Sequence, residues 1–254
     1  MKKIIDTGKL LPSFEELFKA EVMIKMKMRP EALRLAKKIG SGENLYIFVG
    51  SSGAGRDTVM EECLRQIKNS VRLRRTTTRK PREQVKDQKR LIFITEKAFL
   101  KDFKKGEIIF AGRYKANQKL YGISKKEVLK IKLKPQIPHL LEENFSGLPL
   151  KVLFPKAKLI VVLPPSIDVL KDRLFSRDGQ NEEAEKRFAT SLLEIKTVLK
   201  NLKELIDQKF VDAVIINEGF PKEVGKKAVR AIKGRQRLIE DFSWLEKSLR
   251  ETKQ

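Results

Sequence analysis

A glycine-rich segment between Gly50 and Thr58 has the residue types that bind phosphate. It reads Gly-Ser-Ser-Gly-Ala-Gly-Arg-Asp-Thr and lies between a short apolar run and a segment of helical pattern. Glycines let backbone N–H groups approach an anion closely, and the start of a helix adds the positive end of its dipole. We therefore predict phosphate binding by the loop and the first residues of the helix: Gly50, Ser52, Gly53, Ala54, Gly55, Arg56, Asp57 and Thr58.

Two residues of this loop depart from the common G-x-x-x-x-G-K-[ST] pattern. Arg56 stands where that pattern has lysine, and Asp57 stands where it has a hydroxyl residue. One interpretation is that Arg56 still brings positive charge to the phosphates, while Asp57 or Thr58 contacts a metal ion. The other is that the bulkier, forked guanidinium leaves the loop as a scaffold without efficient turnover. The sequence leaves both interpretations open.

The composition narrows the function classes. Lys and Arg number 56 against 33 Asp and Glu, a formal net charge of +23 on 254 residues. Such an excess predicts a polyanionic partner, such as nucleic acid or a phosphorylated substrate, or else a solvated lysine-rich surface. The sequence has one cysteine, Cys63, and one histidine, His139. It can therefore form no internal disulfide framework and no Cys/His zinc cage, and a Ser-His-Asp triad would have to use His139. We expect a cytoplasmic protein without a membrane span or signal peptide.

Three apolar runs have the length of buried strands, at Leu45–Val49, Leu159–Leu163 and Ala213–Ile216. Such runs are typical of parallel strands that are covered on both faces. Helical patterns alternate with them, at residues 56–68, 124–133, 166–175, 183–205 and 221–232. The alternation predicts an α/β fold with a parallel sheet in three layers.

The two ends of the chain are predicted to be helical extensions of a domain that spans residues 44–233. In the N-terminal extension, residues 1–43, we predict helices over 13–28 and 31–39, because Ser13 and Glu16 form a capping-box pattern and Pro30 suits a helix start. In the C-terminal extension, residues 234–254, apolar residues at helical spacing predict a helix over 235–250.

Several further segments, taken together, resemble guanylate kinases. Thr77-Thr78-Arg79-Lys80-Pro81-Arg82 resembles their T-T-R-x-P-R signature, and Leu120–Ser124 resembles their Y-Y-G-x-S element. The remaining matches follow in the family's order, at Leu163–Ser166, at Leu170–Arg177, at Arg187 and at Asp212–Asn217. The matches span residues 45–233, and their combination is specific to this family.

The resemblance implies a P-loop nucleoside-monophosphate-kinase fold with an acceptor-binding subdomain over residues 75–123 and a lid over 173–187. It implies transfer of the γ-phosphoryl group of ATP, with Mg²⁺ as cofactor, to a phosphate-bearing acceptor. The implied catalytic arginines are Arg56, Arg173, Arg177 and Arg187, and the implied acceptor-binding residues are Arg75, Arg79, Arg82, Tyr121 and Asn144. Asn217 is implied as a nucleotide-base or lid contact, and Asp57, Thr58 and Glu142 as metal ligands. For the lid arginines, surface ion pairs with Asp168, Asp172, Glu182 or Glu183 are the alternative.

The positions that read guanine in this family are changed. Arg75 stands where the family has serine, Leu91 where it has tyrosine, Phe110 where it has glutamate, and Ile123 where it has a small hydroxyl residue. Because buried hydrogen bonds to a base edge carry most of such specificity, we expect weakened guanine recognition. A slip of one or two residues would instead bring Glu107 towards the pocket.

Three alternatives to a GMP kinase therefore stay open. The chain could be a catalytically silent guanylate-kinase-like module that binds phosphorylated ligands or proteins. It could resemble the ribose bisphosphate phosphokinases, which also have aspartate after the basic residue of the loop, as Asp57 is here. The basic extensions could also associate with nucleic acid through charge.

Overall fold

A six-stranded parallel sheet forms the centre of the protein. The structure is a computed structural model that describes residues 27–28, 30–81, 86–114, 116–148, 150–234 and 237–251. The sheet contains, in spatial order, β11 (Leu238–Ile239), β10 (Ala213–Ile216), β9 (Lys158–Leu163), β2 (Leu45–Val49), β8 (His139–Glu143) and β3 (Val71–Arg72). The three predicted apolar runs are its inner strands β2, β9 and β10, and the predicted three-layer α/β fold is confirmed.

Helices cover both faces of this sheet, which explains why its strands are apolar on both sides. One face packs against α2 (Arg56–Gln66) and α9 (Pro221–Lys233) through Val59, Met60 and Val224. The other face packs against a group of helices whose largest member supplies Ile195 and Val198. These helices are α1 (Pro30–Ile39), α5 (Lys125–Leu133), α6 (Leu150–Leu153), α7 (Ile167–Asp178), α8 (Glu182–Asp207) and α10 (Ser243–Glu251).

A second, mixed sheet builds the predicted acceptor-binding subdomain. Its strands, in spatial order, are β1 (Lys27–Met28), β6 (Ile108–Arg113), β7 (Leu120–Ser124), β4 (Arg75–Thr77) and β5 (Leu91–Phe93). Two helices join these strands, α3 (Lys86–Arg90) and α4 (Glu96–Lys104). A small core of its own, formed by Phe99, Ile108, Ala111 and Leu120, holds this sheet together.

The N-terminal extension differs in part from the prediction. The predicted helix over 13–28 lies mostly outside the described residues, and its last two residues, Lys27 and Met28, form the edge strand β1. They pair with Ala111 and Phe110, because the outer edge of β6 offers backbone groups that a strand can satisfy. The predicted second helix is confirmed as α1, and its Leu35 and Ala36 are buried in the main core.

The C-terminal helix begins later than the sequence predicts. Leu238 and Ile239 form strand β11, which pairs in parallel with β10 at the edge of the main sheet. The helix α10 starts only at Ser243, whose backbone N–H is capped by Asp241 Oδ1 at 3.0 Å. The helical spacing of Leu238, Ile239 and Phe242 was misleading because a sheet edge was available to the first two. No helix in the described ranges is long and apolar enough to cross a membrane.

Candidate phosphate-transfer cleft

A cleft of about 250 Å³ opens where the carboxyl ends of β2 and β8 face the second sheet. Parallel sheets place their ligand sites at this edge, because the loops that follow the strands diverge there. Predicted site residues that line the cleft are Ser52, Gly53, Gly55, Arg56, Asp57, Arg75, Arg79, Tyr121, Asn144, Arg177 and Arg187. Arg82 lies outside the described residues.

The phosphate loop connects β2 to α2 and needs glycine at two positions. Gly53 and Gly55 have φ angles of +83° and +84°, a region that residues with a Cβ rarely adopt. A Cβ at Gly55 would also collide with the side-chain amide of Asn217. That amide donates to the Ala54 carbonyl oxygen at 2.8 Å, and Arg173 Nη2 donates to the Asn217 carbonyl oxygen at 3.1 Å. Asn217 and Arg173 therefore support the loop from behind, outside the residues that line the cleft.

Arg56 is the first residue of α2 and lies against the loop it follows. Its Cγ and Cδ would be 3.1 and 3.2 Å from a Cβ at Gly50, so its stem packs over that glycine. Burial, followed by repulsion from Arg75, lowers the pKa of the guanidinium, while Glu142, Glu194 and Asp57 oppose that shift. Nη1 is buried and makes no hydrogen bond with any residue that the structure describes. A strong donor is thus left beside the cleft, as a bound anion would require.

Glu194, which the sequence analysis did not single out, is a buried carboxyl beside the phosphate loop, outside the residues that line the cleft. It lies on α8 with 1% of its surface exposed, and burial raises its carboxyl pKa to about 8, although Arg56 and the Ser52 backbone N–H favour the charged form. Tyr114, from the second sheet, is buried within the field of Glu194, Arg56 and Arg187. The missed signal is the position of Glu194 on the inward face of its helix, between Ser191 and Val198.

Arg79 and Tyr121, which the resemblance implies as acceptor-binding residues, line the cleft together. Arg79 Nη2 donates to Asp87 Oδ2 at 2.7 Å, and its guanidinium lies 5.3 Å from the centre of the Phe93 ring. Tyr121 Oη accepts a hydrogen bond from Asn117 Nδ2 at 3.2 Å. These contacts hold both donors at the cleft wall before any ligand is bound.

Glu142 is enclosed by arginines. Arg90, which the sequence analysis did not single out, donates from Nη1 to Asp57 Oδ2 at 2.8 Å and from Nη2 to Glu142 Oε1 at 2.6 Å. Arg75 Nη2 lies 3.3 Å from Glu142 Oε1, and Arg72 Nη1 lies 3.7 Å from Oε2. Burial alone would raise the pKa of Glu142, but the surrounding arginines, Arg90 first, lower it to about 2. Glu142 is therefore charged and already neutralised by protein cations.

The predicted magnesium ligands do not fit a metal held by the protein. Asp57 and Glu142 share the guanidinium of Arg90, and Thr58 is exposed on α2 and does not line the cleft. Among the described residues, no group of three or more His, Cys, Asp or Glu side chains is arranged to hold a metal ion.

Arg75, predicted to bind the acceptor, contacts protein carboxylates in the structure. Its Nη1 lies 3.2 Å from Glu143 Oε2.

Two of the three lid arginines reach the cleft. Arg177 Nη2 lies 3.4 Å from Ser52 Oγ of the phosphate loop, a long hydrogen bond. Arg187 Nη2 lies 2.7 Å from Glu183 Oε1, the ion pair considered as the alternative, yet Arg187 also lines the cleft. Arg173 contacts Asn217 instead, as described above.

The cleft lining also includes residues without polar side-chain atoms. Leu91, Phe110 and Gly112 are among them, and Ile123 is buried in the adjacent core. Glu107 is 56% exposed, and its Oε1 lies 3.9 Å from Lys125 Nζ, outside the lining of the cleft. Phe110 therefore lines the cleft, whereas Glu107 does not.

Comparison with known proteins agrees with this architecture. The family model described as guanylate kinase matches residues 42–229. The chain is 35% identical over 158 residues to a guanylate kinase of Clostridioides difficile (strain 630), covering 61% of this chain and 75% of the relative. It is 31% identical over 180 residues to a guanylate kinase of Prochlorococcus marinus (strain NATL2A), covering 70% and 90%.

A solved structure supports the fold. The crystal structure of guanylate kinase from Anaplasma phagocytophilum matches with a TM-score of 0.55 and 21% identity, covering 78% of this chain and 89% of that one. The family model matches most of the chain, and it includes the phosphate loop, Arg79, Tyr121 and the lid arginines. The chain belongs to the guanylate kinase family.

Proposed function

We propose that this protein is an ATP-dependent phosphotransferase that moves the γ-phosphoryl group of ATP to the phosphate of a nucleotide acceptor, with GMP as the first candidate. The observation that carries the proposal is that one cleft contains both the phosphate loop and the acceptor-side pair Arg79 and Tyr121. The family relatives named guanylate kinase support the same reaction, and guanylate kinases as a family use ATP and Mg²⁺. The cytoplasmic location stays a prediction.

The side chains suit a reaction that depends on placement and charge. Phosphoryl transfer needs its two substrates aligned and their negative charge neutralised, and it needs little covalent chemistry from the protein. In our proposal the loop N–H groups and Arg56 bind the donor phosphates, and Arg79 and Tyr121 bind the acceptor phosphate. Arg177 and Arg187 approach from the lid side, where they can neutralise the transferred group.

The acceptor's base would meet an apolar surface. Leu91 and Phe110 can contact a planar base face but cannot accept hydrogen bonds from its edge. We therefore propose phosphate-dominated recognition, in which guanine is preferred only weakly over other bases. A site without edge acceptors discriminates among bases far less than a site that pairs with them.

An ADP-release assay with a panel of acceptors tests this function. The panel contains GMP, IMP, AMP and a ribose bisphosphate, because the aspartate after Arg56 also suits sugar-phosphate kinases. We expect turnover with at least one nucleoside monophosphate. ADP release with the sugar phosphate alone would move the assignment to that class, and no release with any acceptor by folded protein would refute the proposal.

Replacement of Arg79 tests the residue roles. Arg79→Ala removes a charge-assisted donor from the cleft, so kcat/KM for the acceptor should fall about a hundredfold while the KM for ATP changes little. Arg65→Ala is the matched control, because Arg65 is a 61% exposed arginine on α2 that pairs with Glu62. An equal loss in both variants would contradict a role for Arg79 in acceptor binding.

A silent binding module is the second candidate, and one observation favours it. Arg56 and Arg90 face protein carboxylates, so part of the cationic surface is already neutralised. Calorimetry with ATP and magnesium separates the two candidates: donor binding in the micromolar range supports the kinase, whereas acceptor binding without donor binding supports the module.

A further inference from the structure

Arg90 connects two parts of the protein across the cleft. It is the last residue of α3 in the acceptor-binding subdomain, whereas Asp57 is the second residue of α2 and Glu142 the fourth of the five residues of β8, both in the main body. Its two terminal nitrogens contact one carboxylate each, at 2.8 and 2.6 Å, and its side chain is 19% exposed and lines the cleft. A planar fork that spans two carboxylates is geometry in which arginine, and not lysine, fits.

The charges around this fork leave little affinity for a second cation. Glu142 faces Arg90, Arg75 and Arg72, with Arg56 also in its field, while Asp57 faces Arg90. A divalent cation prefers oxygen ligands that carry uncompensated negative charge. Here each carboxylate already has a cationic partner, and the guanidinium occupies the space between them.

On the basis of the function proposed above, we propose that Arg90 is a resident cation that takes the place of a protein-held divalent ion between Asp57 and Glu142. The two carboxylates then serve to fix this arginine as a permanent positive charge on the cleft wall. Divalent metal reaches such a cleft as a ligand of the nucleotide, and no carboxylate of the protein has to be freed to hold it.

Manganese titration of the nucleotide-free protein tests this inference without any turnover. The free Mn²⁺ signal in electron paramagnetic resonance measures how much ion the protein retains. We expect wild type to retain no stoichiometric Mn²⁺ up to about 1 mM. Arg90→Ala opens the space between the two carboxylates, so it should retain one ion per chain with at least about tenfold higher affinity than wild type.

Matched variants make the outcome specific. Arg113→Ala is the control, since it removes another arginine of the same subdomain, one that pairs with Glu96 at 2.5 Å away from the cleft. It should not gain the ion. Arg90→Gln, which keeps most of the side-chain volume, repeats the test with a smaller perturbation of the fold. Adding Asp57→Asn to Arg90→Ala should abolish the gained site.

Two results would overturn the inference. One is a stoichiometric Mn²⁺ ion in nucleotide-free wild type that is lost on Glu142→Gln. The other is identical Mn²⁺ retention by wild type, Arg90→Ala and Arg90→Gln. Because no nucleotide is present, either result stands apart from the proposed function, which fails only if ATP and acceptors give no transfer.

Discussion

Two glutamates near the cleft are equally buried and differ in charge because of their neighbours. Glu142 is 3% exposed and Glu194 is 1% exposed. Three arginines contact or face Glu142 and hold its pKa at about 2, whereas burial dominates at Glu194 and raises its pKa to about 8. The number of nearby guanidinium groups therefore decides which of the two is ionised at neutral pH.

These shifts give opposite effects of pH on stability. Glu142 has a folded-state pKa below the ordinary value of 4.5, so its contribution is present above that pH and is lost as pH falls towards 2. Glu194 has a folded-state pKa above 4.5, so its contribution is present at low pH and is lost as pH rises towards 8.

Glu194→Gln isolates the second effect. Between about pH 5 and pH 8, the free energy of unfolding of wild type should decline relative to that of the variant, by an amount on the order of a few kcal/mol. The decline arises because this carboxyl ionises near its ordinary pKa of 4.5 in the unfolded chain, whereas the folded protein keeps it protonated up to about pH 8. Urea unfolding at a series of pH values measures it, and a constant difference between the two proteins across this range would contradict the raised pKa.

Some residues of the cleft could be predicted from the sequence, and others could be identified only in the structure. The loop glycines, Arg79 and Tyr121 lie in motifs with fixed spacing, so the sequence could place them at one site. Arg90 lies in a basic run with Lys86 and Lys89, and nothing in its type or spacing separates it from them. Its role depends on Asp57 and Glu142, which the fold brings to it from other elements.

At the scale of elements, the phosphate loop is held by the strand and helix behind it. Asn217 follows β10, and its side-chain amide donates to the Ala54 carbonyl oxygen of the loop. Arg173, on α7, donates in turn to the Asn217 carbonyl oxygen. The lack of a side chain at Gly55 lets Asn217 approach this closely. The resemblance implies Arg173 as a catalytic arginine and Asn217 as a nucleotide-base or lid contact; in the structure the two residues contact each other, and Asn217 contacts the loop.

Gly55→Ala tests this support. In this variant, residue 55 would have to keep a left-handed backbone conformation, and the new methyl group would collide with the side-chain amide of Asn217. We therefore expect a loss of about 1–3 kcal/mol in the free energy of unfolding and loss of ATP binding. Gly219→Ala is the matched control, because Gly219 has a φ of +82° and a Cβ there would meet nothing within 4 Å.

The control should lose only the cost of the left-handed conformation, about 1 kcal/mol, and should keep ATP affinity. Chemical unfolding and calorimetry measure the two quantities. Unchanged ATP affinity in Gly55→Ala would show that the loop does not need the close approach of Asn217.

Element boundaries were predictable where local pattern and packing agree. The inner strands β2, β9 and β10 and the long helix α8 follow their apolar patterns within a few residues. The short edge strands β1 and β11 were missed, because their pairing depends on backbone groups of β6 and β10 that are far away in sequence. Sheet edges select partners by exposed hydrogen-bonding groups, which leave no periodic pattern.

At the scale of the whole molecule, the net charge of +23 is larger than the cleft requires. Several cleft arginines are balanced by carboxylates, as Arg79 is by Asp87 and Arg90 is by Asp57 and Glu142. The charges at the cleft therefore suit the proposed binding of phosphates, but they do not account for most of the lysines in the excess positive charge. The sequence predicts an anionic partner, and the fold brings several of the candidate arginines to one cleft of about 250 Å³.

The most direct test of the central claim is the fate of the ATP γ-phosphoryl group in a reaction with GMP. Phosphorus-31 NMR of ATP, GMP and magnesium with the folded protein follows both products at once. We predict that GDP and ADP appear in equal amounts and at equal rates, and that Arg79→Ala slows both together about a hundredfold. Release of ADP with inorganic phosphate and no GDP, or no reaction while GMP still binds, would contradict the assignment of this cleft to phosphoryl transfer between nucleotides.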